Sequence, residues 1–204
     1  AQLNKEVKAH SAPITAIDIS SDGQTLLTAC EDATASLWDL NENTNGQKMV
    51  GHLSKINSAC FLSETVILTA SDDKTISAWN RQTGEITNTL LGHKGKVVAI
   101  KQIQGQAKFV TASTDGEIII WNSQTLKELE RFTIDKSEIL QMDLHNNMVV
   151  PLHLDQQISL WDLTEQKKSE TINISSTPIR AGQVCNSNNF ILTGDENGLV
   201  KKHQ

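Results

Sequence analysis

The chain has 204 residues, of which 18 are Lys or Arg and 24 are Asp or Glu, so its formal net charge is −6. Nucleic-acid binding as the main role needs a clustered excess of basic residues, and this charge balance argues against it. No stretch of the sequence approaches the roughly 20 apolar residues of a membrane-spanning helix, so we predict no membrane span.

Four tryptophans mark a repeat, with spacings of 41, 42 and 40 residues. An aspartate lies six residues before each tryptophan, and a threonine and a histidine precede the first three of these aspartates in a fixed register. The complete sets are His10, Thr28, Asp32 and Trp38; His52, Thr69, Asp73 and Trp79; and His93, Thr111, Asp115 and Trp121. Self-similarity at such a period indicates one small structural unit copied along the chain.

Short strands are predicted inside each unit, because apolar runs alternate with turn residues. In the second unit the predicted strands are 56–61, 65–70, 75–79 and 85–90. Their alternation is incomplete, as expected when both faces of a small sheet are buried against neighbours. The polar stretch 164–169 is predicted to be an exposed loop.

The last two units keep the register but lose some of the residues. In the fourth unit, Asp135 stands at the histidine position and Pro151 at the threonine position. Asp155 and Trp161 are kept there. In the fifth unit, His203 falls at the tryptophan position. We predict that the hydrogen-bonded sets of these two units are incomplete and that both units are less rigid.

The units resemble WD40 repeats, which have a period of roughly 40–45 residues and a Gly-His…Trp-Asp signature. The dipeptides that carry this resemblance are Gly51-His52, Gly92-His93, Trp38-Asp39 and Trp161-Asp162. It implies an all-β, WD40-type β-propeller with five blades of four antiparallel strands, either a closed five-bladed ring or part of a seven-bladed one. It also implies that each His, Thr, Asp and Trp set is a structural tetrad, in which the aspartate accepts a hydrogen bond from the histidine ring.

A single propeller domain is predicted over residues 1–204. Its blade units are approximately 10–50, 51–91, 92–133, 134–173 and 174–204. Residues 3–8 are predicted to close the last blade as its outer strand, because Val7 lies three residues before His10 just as Leu90 lies three residues before His93.

The resemblance implies a non-catalytic scaffold that docks peptides or protein domains on the top face of the propeller within a larger complex. In that family, partner contacts come from the third and fifth positions after the histidine and from the residue before the turn aspartate. The candidate partner-binding residues here are Lys55, Asn57, Asp72, Lys96, Val98, Thr114, Glu138, Leu140 and Arg180. Two alternatives stay open: a reader of acidic or phosphorylated motifs, and a five-bladed carbohydrate-binding or glycoside-hydrolysing propeller.

Histidine, hydroxyl and carboxylate groups are also the ingredients of nucleophilic catalysis. Their repetition in three units indicates a structural role, so we predict no enzyme activity and no cofactor. The cysteines are Cys30, Cys60 and Cys185, too far apart in sequence to predict a disulfide or a metal site. Reduced thiols are typical of the cytoplasm, with the nucleus as the alternative location.

Overall fold

The structure is a computed structural model that describes residues 8–41, 46–134, 137–154, 157–165, 167–173, 179–185 and 190–203. Within these ranges the chain forms 19 β-strands and no helix. The strands build five antiparallel sheets, in which each strand pairs with the next one along the chain. The prediction of an all-β fold made of consecutive antiparallel units is therefore confirmed. In the described part of the chain, no helix has the length and apolar character needed to cross a membrane.

The chain divides into two compact units, Ala1–Thr89 and Leu90–Gln204. We call each sheet a blade and number the blades in chain order. Blade one consists of β1 (Ile14–Ile19), β2 (Thr25–Cys30), β3 (Thr34–Asp39) and β4 (Gln47–Val50). Blade two consists of β5 (Ile56–Phe61), β6 (Val66–Ser71), β7 (Ile76–Asn80) and β8 (Ile86–Leu90).

The second unit contains the other three blades. Blade three consists of β9 (Val97–Ile103), β10 (Lys108–Ser113), β11 (Glu117–Asn122) and β12 (Glu128–Thr133). Blade four consists of β13 (Ile139–His145), β14 (Met148–His153), β15 (Gln157–Asp162) and β16 (Lys167–Asn173). The described strands of blade five are β17 (Ile179–Cys185), β18 (Phe190–Asp195) and β19 (Val200–His203).

The strands predicted for the second repeat, which is blade two, agree with β5–β8 to within one residue at every boundary. The prediction of a loop over 164–169 is wrong from Lys167 onward, where β16 begins. The first residue of β16, Lys167, is paired with the last residue of β15, Asp162. β16 is the outermost strand of its sheet, and Lys167, Ser169 and Glu170 are exposed, so a polar sequence there does not exclude a strand.

In blades one, two, three and five, a tight turn joins the second and third strands, with a left-handed residue just after the aspartate position. Gly116 and Gly198 take this conformation with φ of 78°. Ala33 and Lys74 adopt it with φ of 65° and 73°, at a cost of roughly 1–2 kcal/mol each for a residue with a Cβ. The hydrogen bonds of the preceding aspartate, described below, offset this cost.

The core lies between blades rather than inside any one of them. One buried cluster joins Leu27, Ala29, Ala35, Leu37 and Met49 of blade one to Ile56, Ala59, Ile67 and Trp79 of blade two. A second cluster joins blades three and four, and a third joins blades four and five. We call the face that a blade turns to the preceding blade its front face, and the opposite one its rear face. Each buried aliphatic side chain contributes about 1.5–3 kcal/mol, so a blade is stable only when its faces are covered.

Some sequence predictions fall on residues that the structure does not describe. Residues 3–7 of the proposed closing strand, and Asp135 and Asp155 of the fourth unit, lie outside the described ranges. The single domain over residues 1–204 stays a prediction.

Candidate functional site

Blade two joins its four tetrad residues in a continuous chain of hydrogen bonds. The indole Nε1–H of Trp79 donates to Thr69 Oγ1 at 2.7 Å, and the threonine hydroxyl lies 2.7 Å from His52 Nε2. His52 Nδ1 lies 2.7 Å from Asp73 Oδ2. Because a carboxylate only accepts, Nδ1 carries the ring proton, and Nε2 accepts from the threonine. All four side chains are thereby held in one arrangement.

Asp73 links the turn to the segment that precedes the blade. Its carboxylate accepts from the backbone N–H of Leu53 at 3.0 Å, from the N–H of Thr75 at 3.0 Å and from the Thr75 hydroxyl at 2.7 Å. Burial alone raises the pKa of the Asp73 carboxyl, but the hydrogen bonds from Thr75, Leu53 and His52 outweigh burial and hold it below its ordinary value. The ionised carboxylate is therefore the form that stabilises this turn.

Blade one replaces the direct bond between histidine and aspartate by a relay. The distance from His10 Nδ1 to Asp32 Oδ2 is 3.6 Å, which is too long for a hydrogen bond. Thr34 Oγ1 lies 3.2 Å from His10 Nδ1 and donates to Asp32 Oδ1 at 2.6 Å. The other half is unchanged, with Thr28 Oγ1 2.8 Å from His10 Nε2 and accepting from Trp38 at 3.0 Å.

Blade three lacks both the direct bond and the relay. The threonine that follows the turn aspartate by two residues in blades one and two is Glu117 here. His93 Nδ1 lies 3.6 Å from Asp115 Oδ2 and is buried without a hydrogen-bond partner among the described residues. Asp115 accepts instead from the backbone N–H groups of Lys94, Gly95 and Glu117. Burial raises the pKa of Asp115, but the nearby His93 ring and the backbone N–H groups of Glu117, Lys94 and Gly95 outweigh burial and hold it well below its ordinary value.

An ion-pair network occupies the space beside this third set, and sequence reasoning missed it. Arg131 donates to Glu117 at 2.6 Å, to Glu128 at 2.8 Å and to the carbonyl oxygen of Gly92 at 2.9 Å. The hydrogen bonds to Glu128 and Glu117 raise the pKa of Arg131 above its ordinary value. The sequence did contain an indication of this network, because Glu117 stands at the repeat position that Thr75 occupies in blade two.

The incomplete sets of blades four and five differ from each other. In blade four, Pro151 stands at the position of Thr69, and the indole Nε1 of Trp161 is buried without a hydrogen-bond partner in the described ranges. In blade five, His203 Nε2 lies 2.9 Å from Thr193 Oγ1, so His203 takes the place that the indole has elsewhere. Burial and the nearby Lys201 lower the pKa of His203.

Two groups of side chains in the described residues have the atoms to hold a metal ion: His10, Cys30 and Asp32, and His93, Asp115 and Glu117. The first group is already engaged by protein atoms. Cys30 Sγ contacts the Ala12 carbonyl oxygen at 3.2 Å and accepts from the Asp32 N–H at 3.3 Å. Ser71 makes the matching contacts in blade two through its hydroxyl. Burial raises the pKa of the Cys30 thiol, which works against the thiolate that a metal needs.

The predicted partner-binding residues lie where the first strand of a blade begins and where its second strand ends, at an edge that we call the loop edge. The residue before the turn aspartate position donates its backbone N–H to the residue three positions after the histidine position. This bond recurs in four blades, from Glu31 to Pro13, Asp72 to Lys55, Thr114 to Lys96, and Leu154 to Glu138, at 2.9–3.1 Å. The structure thus brings together the paired positions that were far apart in sequence.

The two units carry different side chains at the loop edge. In the first unit, Lys55 Nζ lies 2.8 Å from Glu31 Oε1 of the neighbouring blade, and Asn57 donates to Asp72 at 2.7 Å. In the second unit the corresponding positions hold Lys96 and Glu138, which are exposed, and less polar residues. These less polar residues are Val98, Thr114, Leu140 and Leu154. Arg180 lies in β17.

Comparison with known proteins agrees with this architecture. The sequence model of the WD40 family, described as "WD domain, G-beta repeat", matches residues 1–39, 44–80 and 84–122, which is more than half of the chain. The chain is also similar to U3 snoRNP-associated protein-like EMB2271 of Arabidopsis thaliana, with 23% identity over 192 residues. That alignment covers 94% of this chain and 31% of the relative, so the chain spans about a third of the relative's length. The resemblance that the repeats indicated is confirmed, and the chain belongs to the WD40 family.

Proposed function

We propose that the chain is a non-catalytic, protein-binding subunit of a nuclear ribonucleoprotein complex and that it docks its partner on the loop edge. The observation that carries the proposal is the backbone bond that recurs at this edge in four blades. Within each of these blades it holds a pair of variable side chains at equivalent places, which supports a docking role for them.

The state of the tetrads supports a scaffold rather than an enzyme. The Thr69 hydroxyl is fully buried and bonded on both sides, and His52 is buried beside it. A nucleophile must reach its substrate, and this hydroxyl cannot. The carbohydrate-processing alternative gains no support from these groups.

The likeness to a U3 snoRNP-associated protein supports a nuclear ribonucleoprotein setting for this chain. It favours the nuclear alternative over the cytoplasmic location that the thiols suggested. The net charge of −6 favours contact with a protein of such a complex over direct contact with its RNA.

The loop edge itself favours a partner with apolar side chains over an acidic or phosphorylated motif. Lys55, a cation on which the acidic-motif alternative depends, is already paired with Glu31. Leu140 and Leu154 are exposed at the same edge in the second unit. The Leu154 N–H bonds the carbonyl oxygen of Glu138, two residues before Leu140, so both leucines lie at one edge of blade four. Grouped exposed apolar side chains are typical of protein interaction sites.

The test compares two leucines of similar exposure at opposite ends of the strands. Leu154 is 55% exposed at the loop edge, and Leu40 is 51% exposed at the other end of blade one. Tagged wild-type chain, Leu154→Asp and Leu40→Asp are purified from cells, and co-purifying proteins are quantified by mass spectrometry. We expect Leu154→Asp to reduce partner recovery at least tenfold and Leu40→Asp to retain it. Equal recovery by both variants would refute docking at the loop edge.

A charge-reversed variant tests the acidic-motif alternative in the same assay. Lys55→Glu combined with Lys96→Glu is expected to leave the recovered partners largely unchanged. Loss of the partners in this variant, with recovery retained by Leu154→Asp, would favour the acidic-motif alternative.

A further inference from the structure

A cleft of about 280 Å³ lies between the rear face of blade three and the front face of blade four, at the edge opposite the loop edge. We call it the second cleft, because it belongs to the second compact unit. Ile103 and Ile120 are buried at its floor, beside Leu163. Pockets for drug-sized ligands measure about 300–1,000 Å³, so this cleft is suited to a smaller group, such as one side chain of another protein.

The corresponding place between blades one and two, the first cleft, contains an arginine of the chain itself. Arg81 follows Trp79 by two residues, and its guanidinium donates to Thr25 Oγ1 of blade one at 2.7 Å. The same guanidinium lies 3.3 Å from the carboxylate of Glu64 and 3.7 Å from that of Asp22. The Arg81 side chain is largely buried. The first cleft therefore holds a cation, and two carboxylates from the loops between first and second strands neutralise it.

In the second cleft the cation comes from the opposite side. Leu163 stands at the position of Arg81, since each lies two residues after the tryptophan of its blade. Lys108 stands at the position of Thr25, since each is paired with the residue that follows the tryptophan. Lys108 lines the cleft from blade three and is half-buried. The second cleft thus keeps a positive charge but lacks the long side chain that occupies the first.

The two carboxylates of the first cleft have no counterpart in the second. Counting back three residues, as from the threonine to Asp22, leads from Lys108 to Gly105. Asn146 stands at the position of Glu64, because the next residue in each loop accepts the backbone N–H of the residue two after the tryptophan. Among the residues that the structure describes, Lys108 forms no ion pair. Its charge is therefore left for a group from outside the chain.

A contact that bridges the first cleft is also lost. Gln47 links blades one and two, since its side-chain amide donates to the Gln82 carbonyl oxygen at 3.1 Å. Glu130 stands at the position of Gln47, because each is paired with the residue before the tryptophan. A carboxylate only accepts hydrogen bonds, so Glu130 cannot form this bridge. The second cleft is open at the place where the first is bridged.

Hydrogen bonds between side chains fix the mouth of the second cleft. The side-chain amide of Gln106, in blade three, donates to Asn147 Oδ1 of blade four at 3.0 Å. The amide of Asn147 donates in turn to Thr164 Oγ1 at 3.0 Å. Gln106 and Thr164 are exposed, so the mouth faces solvent. A cleft that is already ordered before it binds loses less entropy on binding.

We infer that the second cleft binds an acidic side chain of a partner protein, whose carboxylate pairs with Lys108 while its methylene groups pack on Ile120 and Leu163. The positive charge without its two carboxylates selects an anion, and the apolar floor selects one with a hydrocarbon stem. RNA phosphates are bound by clustered cations, and this cleft has one. The contact lies at the edge opposite the loop edge, so it does not depend on the docking proposed there.

The probe for this site is N-acetyl-glutamate N-methylamide, which carries one glutamate side chain between two peptide groups. It is titrated into the isotope-labelled chain, and the backbone N–H resonances of Gln106, Asn147 and Thr164 are followed by NMR. We expect saturable shifts, with binding about tenfold weaker for the glutamine analogue, which has the same shape without the charge. Equal binding of the two probes, or no saturable shift with the glutamate probe, would overturn the inference.

Substitutions at Lys108 assign the charge to this residue. Lys108→Gln should weaken binding of the glutamate probe about tenfold, and Lys108→Arg should restore it. Lys127→Gln is the matched control, because Lys127 is an exposed lysine of the same blade, in the loop between β11 and β12. Circular dichroism should show all three variants folded.

Two further results would contradict the assignment. One is a folded Lys108→Gln protein that binds the glutamate probe like the wild type or no more weakly than Lys127→Gln. The other is an oligouridine that shifts the same resonances through Lys108 more strongly than the glutamate probe, because the cleft would then bind RNA rather than a protein.

Discussion

Replacing Pro151 by threonine should stabilise blade four by supplying the acceptor that its tryptophan lacks. Trp161 pairs with Val149 across β14 and β15, as Trp79 pairs with Ile67 across β6 and β7. Position 151 is thus the counterpart of Thr69, which accepts the Trp79 indole N–H. A buried donor without a partner costs about 1–3 kcal/mol, so the new hydroxyl should recover most of this amount.

The backbone contributes a second gain and a smaller loss. In the pairing of β14 with β15, Val149 lies opposite Trp161 and Leu152 lies opposite Ile158, but Pro151 between them has no paired residue. A threonine N–H can add a hydrogen bond there, at about 0.5–1.5 kcal/mol. Losing the restriction that proline places on the unfolded chain costs about 0.4–1 kcal/mol. The expected net increase in the free energy of unfolding is about 1–3 kcal/mol.

Thermal and urea unfolding followed by circular dichroism measure this change, at roughly 2–4 °C in Tm per kcal/mol for a chain of this size. Pro151→Val is the control, because valine has the shape of threonine and the same backbone N–H but no hydroxyl. The difference between the two variants isolates the hydrogen bond to Trp161. If Pro151→Thr is no more stable than Pro151→Val, the indole does not lack an acceptor and the reasoning is refuted.

Three further predictions concern the other blades. Asp73→Ala should lower the free energy of unfolding at pH 7 by about 1–3 kcal/mol, relative to a Glu85→Gln control in an exposed turn. Because the pKa of Asp73 is lower in the folded state, this difference in stability is present above pH of about 4 and becomes smaller below it. The pKa of His203 is also lowered by folding, so its contribution to stability is present above pH of about 6.5 and is lost as the pH falls. When the Tm of wild type and His203→Gln is measured at pH 7 and pH 5, the decrease in Tm should be smaller in the variant. Cys30→Ser should change stability by less than about 1 kcal/mol, and Zn²⁺ should shift the Tm of neither protein, whereas a Zn²⁺-dependent rise in the wild type alone would reveal a metal site.

The strands and their grouping could be predicted because the repeat supplies a register. The tryptophan spacing fixes where each blade restarts, and the turn residues fix the strand ends inside it. β5 begins and ends at the predicted residues, and β6, β7 and β8 differ by at most one residue at either end. The loop predicted over 164–169 was wrong because polar composition was taken to indicate a loop, although an edge strand tolerates it.

The sequence showed which residues form each set but not which of them touch. The resemblance implied a bond between histidine and aspartate in all three complete sets. The structure has this bond only between His52 and Asp73, whereas His10 and His93 lie 3.6 Å from their aspartates. A change below 1 Å in side-chain position decides whether a hydrogen bond forms, and residue identity does not determine position at that scale.

Contacts between blades were beyond the sequence for a different reason. The ion pair of Lys55 with Glu31 joins residues of separate units of the repeat, and neither residue belongs to the family signature. Within blade three, Arg131 reaches back to the Gly92 carbonyl oxygen, and this contact too lies outside the family signature. Such contacts depend on how the strands are placed in space, which periodicity alone does not give.

The exchange of threonine for glutamate in blade three changes the kind of stabilisation as well as its strength. Thr34, which is buried, and Thr75, which is half-buried, hold the turn aspartate with a neutral hydroxyl, so that contribution depends little on salt. Glu117 is committed to Arg131 instead, through ion pairs that are partly exposed and therefore screened. His93 keeps its contact with Thr111 at 2.8 Å but has lost an acceptor on its other nitrogen. Blade three therefore depends on its surface charges for stability that blades one and two obtain from a neutral hydroxyl.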